Sequence, residues 1–137
     1  MSQENVKNLR AWLESWDPEA WKQDVLADEA DLLDPEIVYE DENLPDHVGE
    51  AYRGPEGVAR AAKRWAEGQE LHIDLKEIVG SGDHLVSVHR VRSRAEHTGI
   101  EFDAPLAYAW TFRDGKVIHF KSFRSLEDAF EAVGLRE

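Results

Sequence analysis

Apolar residues at the start of the chain recur at spacings of three and four: Val6, Leu9, Leu13 and Trp16 form one stripe, with Trp12 beside them. That period predicts an amphipathic helix over roughly residues 3–16. Asp17-Pro18-Glu19 then reads as an N-cap, a proline at the first helical position and an acidic first turn, starting a second helix with Trp21, Val25 and Leu26 inward. Asp34-Pro35 closes that region. Ile37-Val38-Tyr39 predicts a strand running into Glu40-Asp41-Glu42, and a polar loop with Pro45 and Gly49 leads to Gly54-Pro55. A third helix is expected over about 55–67, buried along Val58, Ala61, Ala62 and Trp65.

From residue 70 the period falls to two. Leu71, Ile73 and Leu75 alternate with His72, Asp74 and Lys76, as in a strand with one dry face. Gly80-Ser81-Gly82-Asp83 is a turn, strands of about 84–95 and 100–113 are joined by His97-Thr98-Gly99, and Asp114-Gly115 is a two-residue hairpin signal before a strand at 116–124. Pro105 has no N–H for a ladder and marks a bulge or an edge. Ser125-Leu126-Glu127-Asp128 starts a terminal helix closed by Gly134. Helices segregated from an antiparallel meander give the α+β class. The expected architecture is a single domain over residues 1–137, a curved, mainly antiparallel sheet forming a cone with helices on its concave side.

Composition narrows the function classes. The 137 residues suit one core, and five Trp supply large apolar bodies for it. With no Cys, disulfides, thiolate metal sites and thiol catalysis are excluded, and a reducing, cytoplasmic setting is the expectation. The formal net charge is −13. Residues 1–50 carry 15 acidic and 3 basic side chains, whereas residues 51–137 are nearly balanced, so the acidic excess lies on the amino-terminal third. Such a field repels phosphate backbones and anionic lipid, which argues against nucleic acid and membrane as partners. The six His show no metal-binding helical spacing, and no phosphate loop or nucleophile motif is present, so neither a metal nor a cofactor is expected.

The element order, with Tyr52-Arg53-Gly54-Pro55-Glu56-Gly57-Val58 before the third helix and Trp110-Thr111-Phe112-Arg113-Asp114-Gly115-Lys116-Val117 at the hairpin, resembles SnoaL-like proteins of the nuclear-transport-factor-two-like superfamily. The resemblance implies a cystatin-like α+β barrel with a small-molecule pocket, and a homodimer formed through the convex sheet face. It also implies candidate chemistries: those of ketosteroid isomerase, polyketide cyclases, dehydratases and epoxide hydrolases, beside non-catalytic binding or protein-interaction modules. Against ketosteroid isomerase, Asp41 stands where the general base would be and Tyr108 where a later-strand donor would be, but the first helix carries Trp12 and Trp16 and no Tyr. Against limonene epoxide hydrolase, Arg90 aligns with the arginine, while Arg92 and Ser122 stand where its two carboxylates should be. That mechanism is rejected.

The residues themselves leave alternatives open. If Ile37 and Tyr39 face inward so does Asp41, and Glu40 faces out; a one-residue slip swaps them. Leu106, Tyr108, Trp110 and Phe112 alternate on one face, so Tyr108 is expected inside with Trp110. Arg90 is read as an inward guanidinium meeting Asp41 or an anionic substrate, or else as part of a wet face with Arg92 and Arg94. In that reading His89 and His119 lie on the opposite, outer face. Tyr39, Trp12, Trp16, Trp65, Trp110 and Phe120 are expected to line the pocket, with His47 at its mouth.

Overall fold

The computed structural model of the chain describes residues 2–22, 32–41, 52–123 and 125–132. Helix α1 spans Ser2–Glu14, and α2 is a single turn, Pro18–Trp21, whose Asp17 cap accepts a hydrogen bond from the Glu19 N–H at 3.1 Å. Val25 and Leu26, expected on α2, lie outside the described residues. Strand β1 runs Leu33–Asp41, so it begins before Asp34-Pro35 and absorbs that proline at an irregularity between Leu33 and Val38. A two-residue strand β2, Tyr52–Arg53, was not foreseen; it precedes α3, Gly54–Ala66. The remaining strands are β3 (Gln69–Ser81), β4 (His84–Ala95), β5 (Glu101–Arg113) and β6 (Lys116–Phe123), followed by α4, Leu126–Ala132.

The six strands form one curved, unclosed sheet in the order β2-β1-β6-β5-β4-β3. All neighbours are antiparallel except β1 and β6, which are parallel. Asp114 and Gly115, with φ of 54° and 79°, make the tight turn that their dipeptide signals. Bulges between Leu75 and Glu77 and between Thr111 and Phe112 bend the long strands. Pro105 lies beyond the last β5–β6 pair, Ala107 with Phe123, where only β4 flanks β5, so its missing N–H leaves no partner unsatisfied on that side.

The main core sits on the concave face. Leu9, Trp12 and Leu13 of α1, Trp21 of α2, and Val58 and Ala61 of α3 pack against Ile37, Leu85, Val91, Tyr108, Trp110 and Phe120 of the sheet. One helix departs from the expectation. α4 packs on the opposite, outer face, where Ala129 and Phe130 join Val86, Val88, Ala107, Ala109 and Phe123 in a second core. The reason is compositional: the middle of β4 is buried on both faces, so its outward Val86 and Val88 need cover as much as its inward Leu85 does. No helix among the described residues is long and apolar enough to cross a membrane.

Leu85 is fully buried, whereas Arg92 is exposed and pairs with Asp74 at 3.1 Å on the outer face. Leu85→Ala should lower unfolding free energy by about 2–5 kcal/mol through lost burial and a residual cavity. Arg92→Ala should cost less than about 1 kcal/mol. Urea unfolding at neutral pH measures both; equal losses would contradict this assignment of the core.

Candidate functional site

The interior is set by the register of β4 on β5. Ser87 pairs with Tyr108, His89 with Leu106 and Arg90 with Pro105. Directly opposed residues of an antiparallel pair share a face, so the inward Leu106, Tyr108 and Trp110 carry Leu85, Ser87 and His89 inward with them. Arg90 therefore points outward. Its side chain is 55% exposed and pairs with Asp103 at 2.8 Å, which removes it from the pocket and corrects the inward reading; the contact with Asp41 or a substrate anion goes with it. His89, expected on the outer face, is buried inside. No local signal in β4 gave this facing, which follows from its pairing with β5, closed by the Ala95 N–H to Ile100 carbonyl bond.

The other expected residues divide as follows. Tyr39, Tyr108 and Phe120 are buried on the inner face, and Trp12, Trp16 and Trp65 face them from the helical layer. Trp110 is fully buried behind them, stacked on Phe120 at 4.4 Å and edge-on to Trp12 at 5.8 Å, so it backs the wall and does not line the space. Glu40 faces outward, bonded to His119 Nε2 at 2.7 Å. Asp41 pairs through its backbone with Ser122, two positions beyond Tyr39; its side chain, and all of His47, lie outside the described residues.

Two neighbouring spaces lie between helices and sheet. The larger, about 670 Å³, is walled by Val91, Leu106, Tyr108, Tyr39, Trp65 and Ser122 and opens past Pro105, Ile100 and Phe102. Ile100 and Phe102, 68% and 57% exposed, place apolar surface at its mouth. That volume is the size of a small-molecule site. Beside it is a smaller space of about 30 Å³ among Trp12, Trp16, Trp21, Val58, Ala61 and Phe120. Tyr39, Trp65 and Tyr108 line both spaces. No charged side chain among the described residues lines either space, and no three His, Asp or Glu converge there as metal ligands.

Beneath the aromatic lining runs a buried polar chain. The Trp110 indole N–H donates to Ser87 Oγ at 2.8 Å, and Ser87 Oγ lies 2.7 Å from His89 Nε2. The indole can only donate, so Ser87 Oγ accepts from Trp110 and shares a second hydrogen bond with His89 Nε2. His89 Nδ1 is buried with no hydrogen-bond partner among the described residues. Trp16 stacks on the imidazole at 5.9 Å and Tyr108 meets it edge-on at 5.5 Å. Burial among these rings pushes the imidazole down to a pKa of about 4, so His89 is neutral near pH 7.

Among known proteins, the SnoaL-like domain model matches residues 9–120. Comparison with curated proteins finds no match. A structure described as a SnoaL-like polyketide cyclase from Jannaschia sp. CCS1 superposes with a TM-score of 0.68 at 20% identity, covering 99% of this chain and 95% of that one. A protein with a ketosteroid isomerase-like fold from Catenulispora acidiphila, in complex with trimethylamine, gives 0.64 at 19% identity over 94% and 93%. TerC, co-crystallised with polyporic acid, gives 0.67 at 16% identity over 95% and 97%. Identities this low establish the fold alone.

The depressed pKa of His89 makes stability depend on pH with a definite sign. The unfolded imidazole takes a proton below about 6.5 and the folded one only below about 4, so the unfolded state gains protons first as pH falls. Stability should therefore decline from pH 6.5 and level off below 4, by about 3 kcal/mol from this group. Urea unfolding of the parent and of His89→Gln between pH 7 and 4 isolates the contribution as their difference. A difference independent of pH would show that the imidazole is not held neutral.

Proposed function

The chain belongs to the SnoaL-like domain family, and from that premise we propose that it binds a small, largely apolar ring compound bearing carbonyl or hydroxyl groups and moves a proton on it without a cofactor. The observation that carries this reading is the 670 Å³ cavity, whose wall is apolar and aromatic but interrupted by the neutral side chains of Tyr39, Tyr108, Ser122, Ser93 and Gln69. Such a wall suits a ligand with a hydrophobic body and a few hydrogen-bonding oxygens. The binding of polyporic acid by TerC and of trimethylamine by the Catenulispora protein supports a small-molecule role for this fold.

In this proposal Asp41 is the base. Its backbone pairs with Ser122, a residue of the cavity wall, and a carboxylate that reached an apolar cavity would be raised toward the pKa that proton abstraction near neutrality needs. Asp41 removes a proton from the carbon next to a ligand carbonyl, Tyr108 O–H donates a hydrogen bond to the developing enolate oxygen, and Asp41 returns the proton to another carbon. Isomerisation is the direct outcome; cyclisation or dehydration follows where the enolate attacks a second carbonyl or expels a hydroxyl. The absence of a charged side chain from the described cavity wall favours a second reading, a binding module that holds such a ligand without converting it. The homodimer belongs to the proposal as well, through the outer face of β3–β5 that α4 leaves uncovered, and sedimentation velocity giving a monomer at micromolar concentration would remove it.

The two readings separate on a panel of unconjugated cyclic ketones and hydroxyquinones, with binding followed by thermal stabilisation and turnover by absorbance. For a ketone that is turned over, Asp41→Asn should reduce kcat by about 100-fold or more and Tyr108→Phe by about 10- to 100-fold, with affinity little changed. Turnover surviving Asp41→Asn would remove the carboxylate from its role, and stabilisation across the panel without any product would favour the binding module.

A further inference from the structure

Toward its start, β5 stays apolar on its inner face although the strand is no longer covered there. Tyr108, Leu106, Ala104, Phe102 and Ile100 occupy alternate positions, and all of them line the main cavity. Tyr108 and Leu106 are buried, whereas Phe102 and Ile100 are the large hydrophobic residues that stand exposed among the described residues. The intervening Glu101 and Asp103 are charged, and Asp103 pairs with Arg90 on the outer face at 2.8 Å. One face of this stretch is thus built for water and the other is not, so the side chains at 100 and 102 are not explained by their position at a strand end. Ser93 and Ala95 of β4, which line the cavity beside them, are small and do not cover them.

The stripe is long and its two ends differ. At a rise of about 3.3 Å per residue, the strand from Tyr108 to Ile100 spans roughly 25 Å, more than a compact fused-ring body covers. The hydroxyl-bearing side chains of Tyr39, Tyr108 and Ser122 lie at the deep end, each buried. At the mouth, Gln69 donates its amide N–H to the Trp65 carbonyl, and apolar surface prevails. We propose that Phe102 and Ile100 form a tail subsite: the ligand carries an aliphatic side chain, its oxygen-bearing ring lying at the Tyr39, Tyr108 and Ser122 end and the chain running outward over Ala104 to Phe102 and Ile100. A hydrocarbon chain suits such a stripe because each methylene buries apolar surface wherever it lies and asks for no hydrogen bond. A protein partner suits it less, since two side chains are a small part of the about 800 Å² per side that a stable interface buries. The proposal rests on the ligand-cavity reading above and adds to it the shape of the ligand and the direction in which it lies.

The test uses the full-length protein and 2-hydroxy-1,4-naphthoquinones carrying a methyl, butyl or hexyl group beside the hydroxyl, titrated calorimetrically. Affinity should rise about twofold with each methylene, so that the hexyl compound binds at least about tenfold more tightly than the methyl one. Ile100 and Phe102 belong to neither core, so changing them opens no cavity in the fold. Ile100→Thr and Phe102→Thr keep a strand-favouring side chain, and each should weaken the hexyl compound by about three- to tenfold while leaving the methyl compound within about twofold. On the unaltered protein, the Ile100 methyl resonances should move with the hexyl compound and stay in place with the methyl one. Equal affinities across the series, a chain-length gain that persists in both variants, or unmoved Ile100 resonances would overturn the tail subsite and leave the cavity reading standing. A changed sedimentation coefficient in the variants, with their chain-length dependence intact, would assign the two side chains to a second copy of the chain and overturn the subsite likewise. Failure of every member of the series to bind would overturn both readings together.

Discussion

Ala95 N–H bonds to the Ile100 carbonyl at 2.9 Å across the turn between β4 and β5, and from that closure the two strands run back in unbroken register to His84 opposite Thr111. Every side chain of the interior depends on this pairing. A slip of one residue would turn Tyr108 and Trp110 toward α4 and bring Ala107 and Ala109 under the Trp-rich helices, exchanging the two cores. The apolar stripes on both faces hold the register, because each has its own helical cover and neither tolerates the other's side chains. The buried chain from Trp110 through Ser87 to His89 reinforces it, since those three polar groups satisfy one another only when β4 and β5 are paired in this way.

Among the described residues the interior that results is aromatic and uncharged, which shapes both stability and chemistry. Ring stacking of Tyr39 on Phe120 at 4.3 Å and of Phe120 on Trp110 at 4.4 Å makes a rigid floor for the cavity. Low polarity drives His89 to the neutral form and would raise any carboxylate brought beside it. The same low polarity makes each unpaired donor conspicuous. Among the described residues the interior offers neutral hydrogen bonds, so selectivity for a ligand must come from shape and from oxygen acceptors, not from ion pairing.

The outer face solves a different problem. Where β4 and β5 carry small apolar residues, α4 covers them; elsewhere on these strands Arg90–Asp103 and Arg92–Asp74 pair across neighbouring strands at 2.8 and 3.1 Å. These exposed pairs add little stability but fix which side of β4 is wet. The division explains how one strand can be apolar on both faces near His84 and charged on one face near Ala95.

Much of this architecture was written in local patterns. Periods of three to four and then two placed α1, α3 and the four long strands, Asp114-Gly115 placed the last hairpin, and the inward stripe Leu106, Tyr108, Trp110 and Phe112 follows from alternation alone. These are short-range properties, decided by side-chain direction along one element. What alternation cannot decide is which face of a strand is inside when both are apolar, as in Leu85-Val86-Ser87-Val88-His89. That was settled by the partner strand and by α4, so Arg90 went to solvent and His89 to the core for reasons lying elsewhere in the chain. The parallel pairing of β1 with β6 and the extra strand β2 were equally non-local. The sequence by itself determined that aromatic residues would gather inside a cone of helices and sheet; only the tertiary structure decided that two of their indole N–H groups would be buried without an acceptor among the described residues, because hydrogen-bond satisfaction is a property of the packed whole.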